Sequence, residues 1–396
     1  MKPGLEEISV KREVVLITKY FLPSLNVDSD SVYQMIKGLK TLDPKLSIHV
    51  VTTASKYKGD FIDDGKYSVD LLKDIKIYRI KGLISDPKSS LMKILVDLID
   101  GYRLVMGARD LKINNVISLS NPPLISLWHS LLLKGTNFFY WTFDIFPEAL
   151  VAHGMLKSNN LFYILLKRIT YANRPASIIA LGEHQYEFLL DQYKKPINKI
   201  ILPCGIHDEM RESELVKPFW KDSNVITIGY LGNLGRAHSL EFLKNVISCI
   251  ANRPEFKLVL SIYGFHKDSL MNHINSIKCN NIQLVDFIEK SDLSLIDIHL
   301  VSLKESWNNI SVPSKAVSAV CSGGALWFCG DEFVDTWNMF RHCSYKSSAR
   351  VDAIESVLDT LDMKDLLKKK NMALTIRNDL LQKESLAYRS ILNLLK

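Results

Sequence analysis

VITIGYLGNLGRAHSLEFL, residues 225–243, decides how this chain is read. A continuously apolar run ends in a glycine-bounded turn, Gly232-Asn233-Leu234-Gly235, and a helical pattern over 238–251 follows. An uninterrupted apolar strand that hands over to a helix through a short turn marks a βα unit of a parallel sheet covered on both faces. Glycine there lets the backbone approach a ligand, and the helix N-terminus offers free N–H groups and a partial positive charge to an anion. Arg236 adds a forked donor matched to phosphate oxygens, with His238 beside it. The spacing is not G-x-G-x-x-G, which disfavours NAD. Taken alone, the stretch also fits an ordinary tight βα turn.

The same alternation extends in both directions. Upstream, short apolar strands are expected at 14–18, 47–53, 76–80, 116–120, 138–142, 177–181 and 199–202, most of them separated by helical patterns. After Pro203 the pattern pauses in a polar stretch without clear period, then resumes with strands at 225–231, 257–263, 281–285, 297–303 and 325–329 and helices at 238–251, 267–277 and 313–322. With 396 residues, the chain is long enough for two domains with separate cores. The expected fold is α/β, with two Rossmann-like parallel-sheet domains facing across a cleft: 1–203, a linker at 204–224, and 225–379. The amphipathic segment 380–396 is suited to dock back on the N-terminal half.

Ligands of open parallel sheets sit outside the carboxyl ends of the strands, so the loops after strands carry the candidate chemistry. In SWNNISVPSKAVSAVCSGG (306–324), Pro313 opens a helix flanked by Ser311, Ser314 and Lys315, which places hydroxyls, backbone donors and an ammonium at one helix N-terminus. Ser311 is alternatively a plain helix cap. Gly264 and Phe265, in YGFHKDSL (263–270), border the same ligand position. In FDIFPEAL, Asp144 follows a strand and suits orienting or deprotonating an acceptor hydroxyl, or capping the next helix. SNPP (120–123), with Asn121, is a rigid loop nearby. Asp28-Ser29-Asp30 has a D-x-D spacing but lies just before the first helix and reads as its N-cap rather than a metal site. His266 and His273 lack a third ligand and read as surface residues.

Composition narrows the partners. Fifty Lys and Arg against 43 Asp and Glu give +7, which suits an anionic ligand or an anionic membrane surface. Nucleic acid is not expected, because no basic stripe interleaves with aromatics and KDLLKKK (364–370) reads as a solvated helix face. Six scattered cysteines read as free thiols of a reducing compartment. Neither a signal peptide nor an apolar window of about 18 residues is evident, so a cytoplasmic protein is expected. Segments 89–112 and 159–174 pair apolar faces with basic residues, which suits either packing on a sheet or peripheral contact with the inner face of a membrane.

Several stretches, in order, resemble the family-4 glycosyltransferases of the GT-B fold, in the branch that assembles bacterial surface polysaccharides. LITKYFLPSLNVDSDSVYQMIKGL resembles the family's opening strand, loop and helix; SNPPL its S-P-P turn; WTFDIFPE its R-D-L-W-P-E stretch; and IILPCGI its linker. GYLGNLGRAHSLEFL and SVPSKAVSAVCSGG resemble that branch's donor loop and S-V-P-S-K helix, and are the most specific.

The resemblance implies transfer of a hexose or related sugar from a nucleotide-sugar, with retained anomeric configuration and no metal or other cofactor. The acceptor would be a glycan or a polyprenyl-diphosphate-linked glycan. By the same resemblance, Gly232, Asn233, Gly235 and Arg236 hold the donor diphosphate with Ser314 and Lys315; His238, Gly264, Phe265 and Ser311 complete the donor side; Asp144 faces the acceptor, with Asn26 and Asn121 on that side. The chain departs from the family at Asn26 and Val27, where two glycines are usual, at Cys204, where asparagine is usual, and at Ile310 and Ser318, which align with the E-x7-E glutamates. A nucleotide-sugar epimerase on the same fold and a non-catalytic nucleotide-sugar-binding subunit are the alternative readings.

Overall fold

The computed structural model describes residues 12–24, 26–54, 75–81, 90–209, 218–222, 225–277 and 279–396. Most of the polar part of the expected linker, 210–217 and 223–224, lies outside the described residues, as does the N-terminal segment 1–11.

The first half runs β1 (Glu13–Ile17), α1 (Val27–Leu42), β2 (Ser47–Thr53), β3 (Ile75–Ile80), α2 (Ser90–Asp110), β4 (Asn115–Leu119), α3 (Ile125–Leu132), β5 (Asn137–Trp141), α4 (Glu148–Ala152), α5 (Leu161–Thr170), β6 (Ser177–Ala180), α6 (Glu183–Tyr193) and β7 (Asn198–Ile201). The second runs β8 (Ile226–Asn233), α7 (Leu240–Ile250), β9 (Phe256–Tyr263), α8 (Lys267–Ser276), β10 (Ile282–Leu284), β11 (Ile298–Ser302), α9 (Ser314–Cys321), β12 (Ala325–Cys329), α10 (Asp335–Phe340), β13 (Ser344–Lys346), α11 (Val351–Thr360) and α12 (Met363–Leu394).

Two parallel sheets result, ordered β3-β2-β1-β4-β5-β6-β7 and β10-β9-β8-β11-β12-β13. Strands β1, β2, β4, β5, β11 and β12 are buried along nearly their full length, because helices cover both faces and leave no solvent side for polar alternation. In each sheet the order reverses beside the first strand, between β1 and β4 and between β8 and β11. Such switch points leave a crevice at the carboxyl edge, where the flanking loops diverge. Strand β13, a three-residue edge strand, adds to the elements expected from the sequence.

The halves share a core. Leu124, Ile145, Phe146 and Leu189 from the first pack with Trp307, Ile310, Val317 and Phe340 from the second in one apolar cluster. Polar contacts fix its edges: Ile145 N–H donates to Ile310 O at 3.1 Å, and Lys290 Nζ lies 2.5 Å from Asp30 Oδ2. Gly182 leads into α6 without a side chain to cap it. The cap comes from the other half, where the Asp335 carboxylate accepts from His184 and Gln185 N–H, both at 2.9 Å. An added Cβ on Gly182 would fall 2.1 Å from Asp335, so close approach is why glycine stands there.

At roughly 1.5 Å per residue, α12 is about 48 Å long and ties the assembly together. Leu366 packs in the second-half core, Ala373 and Leu380 in the shared cluster, and Ala387, Tyr388, Ile391 and Leu392 beneath the first sheet. Asn115 Nδ2 donates to Lys396 O and Asn137 Nδ2 to Leu394 O, both at 2.8 Å, which anchors the chain's last residues at the starts of β4 and β5.

Candidate active site

A cleft of about 580 Å³ opens between the carboxyl edges of the two sheets, and both halves line it. On the second-half wall, β8 stays paired with β9 through Gly232 and Asn233, opposite Ile262 and Tyr263. Gly232 has φ +105°, a conformation that suits glycine. Gly264, with φ +103°, leaves room for Asn233: a Cβ there would fall 1.9 Å from Asn233 Oδ1. Gly264 and Phe265 thus support the loop from its rim, while Gly232, Asn233, Gly235, Arg236 and His238 line the cleft itself.

The helix after this turn starts at Leu240, later than the expected 238. Ser239 takes the N-cap, its Oγ accepting from Phe242 N–H at 3.2 Å. The helix end that opens onto the cleft is that of α9, where Pro313, Ser314 and Lys315 line it. Pro313 occupies the N-cap position with no side-chain cap, so the first-turn N–H groups beside Ser314 and Lys315 have no capping side chain. Ser311 is therefore not a cap; its hydroxyl bonds the Asp144 carboxylate of the opposite wall.

Lys315 Nζ donates to Tyr230 Oη at 2.6 Å and to Asn233 O at 2.9 Å, and lies 4.2 Å from the Tyr230 ring centroid. Burial without an anionic partner pulls its ammonium down to about 7. The Arg236 guanidinium stacks on exposed Phe265, 3.7 Å from the ring centroid. No carboxylate among the described residues forms a salt bridge with it. His238 is held neutral: burial first, then Lys315, pull its pKa down to about 3. Its Nδ1 lies 2.6 Å from Ser302 O, which fixes the proton on Nδ1 and leaves Nε2 an acceptor, better suited to a sugar hydroxyl than to phosphate.

On the first-half wall, Asn26, not Asp28, caps α1: Asn26 Oδ1 accepts from Ser29 N–H at 2.8 Å, and Ser29 Oγ accepts from Asn26 N–H at 3.2 Å. Asn26 lines the cleft with its side chain already committed to the helix. The D-x-D spacing does not act as a unit, since Asp28 lines the cleft and accepts from Asn121 Nδ2, while Asp30 pairs with Lys290. Asp144 lies in the cleft, where burial raises its carboxyl and the Ser311 bond partly offsets this.

The positions aligned with the family's glutamates divide. Ile310 is buried in the inter-half core, so no side chain there reaches the ligand space. Ser318 lines the cleft, its Oγ donating to Gly205 O at 3.0 Å.

Asp28, Phe287 and His153 are among the cleft residues that the sequence reading did not assign to the site. Asp28 and Phe287 obey the same strand-end rule that found the others, after β1 and β10. His153, set edge-on against Trp307 at 4.7 Å, follows a short helix and carried no such signal.

Comparisons with known proteins agree with this architecture. No family model matches the chain. A Pseudomonas aeruginosa protein described as probable glycosyltransferase WbjE is 25% identical over 219 residues, covering 51% of this chain and 53% of that protein. The chain thus spans about half the length of the curated relative it matches. Sucrose-phosphate synthase from Thermosynechococcus elongatus superposes with a TM-score of 0.69 at 13% identity, over 96% of this chain and 98% of that one. An E. coli structure described as trehalose-6-phosphate bound with UDP-2-fluoro glucose gives 0.68 at 11% identity, over 97% and 99%. At these identities the likeness is one of fold: two Rossmann-like domains in the GT-B arrangement.

Proposed function

We propose that this protein is a glycosyltransferase that moves a sugar from a nucleotide-sugar to a glycan or lipid-linked glycan in cell-surface polysaccharide assembly. One observation carries the reading: a desolvated lysine and an uncapped helix N-terminus, Lys315 and α9, face across one cleft toward a half-buried carboxylate, Asp144. The second-half wall suits a diphosphate and the first-half wall a hydroxyl nucleophile. The probable glycosyltransferase from P. aeruginosa and the UDP-2-fluoro glucose in the E. coli neighbour support it.

In the proposed reaction the bond between the sugar's anomeric carbon and the diphosphate oxygen breaks, and its electron pair leaves with the nucleoside diphosphate. Lys315, Arg236 and the α9 N–H groups meet the charge that develops there. Those protein cations are the basis for a metal-independent reaction. The acceptor oxygen bonds to the same anomeric face, which retains configuration, and its proton passes to the departing phosphate while Asp144 orients the hydroxyl.

A lipid-linked acceptor fits a second feature. α5 turns Leu161, Phe162 and Leu165 to solvent, with Lys167 and Arg168 in its last turn. Such a helix suits the interface of an anionic membrane. No helix among the described residues is long and apolar enough to cross one.

The test is a panel of nucleotide-sugars with and without membrane extract, read as nucleoside diphosphate release. Release that rises with extract is expected. Nucleotide binding without release under any condition would leave a binding subunit, and conversion of the donor sugar without release an epimerase.

A further inference from the structure

Three polar side chains of the first-half wall lie in the segments that follow adjacent strands, Asp28 in the first turn of α1 and Asn121 and Asp144 in loops. β1 leads to Asp28, β4 to Asn121 and β5 to Asp144, and these strands are neighbours in the sheet. Parallel neighbours lie about 4.8 Å apart, so their carboxyl-end loops converge on one ligand however distant in sequence. Each carboxylate has a protein donor, Asn121 Nδ2 for Asp28 and the Ser311 hydroxyl for Asp144. A carboxylate offers about four acceptor positions, so both keep unfilled capacity in a partly desolvated place. Hydroxyl groups fill such capacity.

We propose that Asp28 is a second acceptor-binding carboxylate, oriented by Asn121 beside Asp144, and that the pair selects an acceptor sugar with two neighbouring free hydroxyl groups. The inference rests on the transferase reading, in which this wall receives the acceptor. The attacking hydroxyl lies at Asp144, and its neighbour on the ring donates to Asp28. Asp30 takes no part, because Lys290 holds it at the edge between the halves.

The pair also makes recognition pH-dependent. Burial first, then Asp144, push Asp28 up to about 6, with Asn121 and Lys19 opposing. The groups facing Asp28 are Asp144, Lys19, Tyr20 and Cys204. Lys19 stays cationic in its pair with Asp97, and burial pushes the Tyr20 phenol and the Cys204 thiol up, so Asp28 is the group that titrates at mildly acidic pH, beside Asp144, whose carboxyl burial also raises. An ionised carboxylate accepts the stronger hydrogen bond, so diol recognition is present above about 6 and fades as pH falls through it.

The experiment titrates methyl glycosides with a vicinal diol, and their monodeoxy counterparts, into the protein with and without a saturating nucleoside diphosphate. Wild type is expected to prefer the diol by about tenfold, one charge-assisted hydrogen bond's worth. Asp28→Asn is expected to erase the preference and leave nucleoside diphosphate affinity within about twofold of wild type. Asn121→Ala, which removes the orienting donor, is expected to weaken the preference and serves if the first variant does not fold. Absence of a diol preference in wild type, its persistence in Asp28→Asn, or a loss of nucleotide affinity in that variant overturns the proposal. Failure of wild type to bind any nucleoside diphosphate is a separate result that sinks the transferase reading, while the nucleotide-free glycoside titrations still decide the role of Asp28.

Discussion

Lys315 and Tyr230 touch in two ways: the ammonium bonds the phenol oxygen at 2.6 Å and lies 4.2 Å from the centroid of the same ring. Tyr230 Oη in turn donates to Asn233 O at 3.1 Å, which gives the lysine one position over the glycine loop. This fixed, desolvated cation has a pKa near 7 before any anion arrives. A bound diphosphate favours the charged form and raises that value, so binding above about pH 7 takes up a proton. The sign follows: affinity is full below the free-state pKa and falls as pH rises through it toward the bound-state value. Calorimetry of a nucleoside diphosphate in buffers of different ionisation enthalpy at pH 8 should show proton uptake in wild type and none at this site in Lys315→Met.

Arg236 is held differently, by stacking on Phe265 at the rim. Arg236→Ala is expected to weaken nucleoside diphosphate binding by about 1.5 to 3 kcal/mol, the usual worth of a hydrogen bond to a charged group. Phe265→Leu keeps the charge and removes the platform, so a smaller cost of about 0.5 to 1 kcal/mol is expected for an exposed cation–π pair. Titration of both variants checks the order. Equal affinities in wild type and Arg236→Ala would remove the residue from the site.

The contrast between these residues shows what was legible in the sequence. Strands such as ALWFC and SIHVVTT could be located from their apolar runs because both sheet faces are buried. SYK, the β13 edge, is three residues long and carries no period to detect. Asn26 and Asp28 are both good capping residues, and only the folded chain shows which reaches the Ser29 N–H. The adjacency of Asp28, Asn121 and Asp144 depends on the order β1-β4-β5, a property of chain topology that spacing does not express. The packing of Ile310 between the halves is likewise invisible locally, since an apolar residue in a polar loop has many explanations.

Under the proposed reaction, Asp144 links activity to stability. Burial raises its carboxyl above the unfolded value, so its contribution to stability is fully present below the unfolded pKa and is lost as pH rises through the folded one. Asp144→Asn removes that cost while keeping shape. The variant is expected to melt higher than wild type at pH 7, to lose the gain near pH 3, to bind nucleoside diphosphate normally and to lose transfer. Thermal scans at both pH values with parallel nucleotide titrations check this, and undiminished transfer would show that the carboxylate is not needed.

Gly38, in α1, faces the ring of Tyr388 in α12. A Cβ at position 38 would lie 2.2 Å from Tyr388 Cδ2, well inside van der Waals distance. Replacing a mid-helix glycine by alanine ordinarily stabilises by about 1 kcal/mol. Overpacking typically costs about 1 to 3 kcal/mol. Here the second effect should win, because Tyr388 is itself held: its hydroxyl donates to Glu384 Oε1 at 2.7 Å and its ring is buried in the first-half core. Gly38→Ala is therefore expected to lower the denaturation midpoint, and Gly38→Ala with Tyr388→Leu to recover part of the loss, a coupling that a double-mutant cycle measures. Nucleoside diphosphate affinity of the folded variants should not change, because neither residue lines the cleft. If Gly38→Ala is instead more stable than wild type, α12 does not seat its ring against α1 in this way.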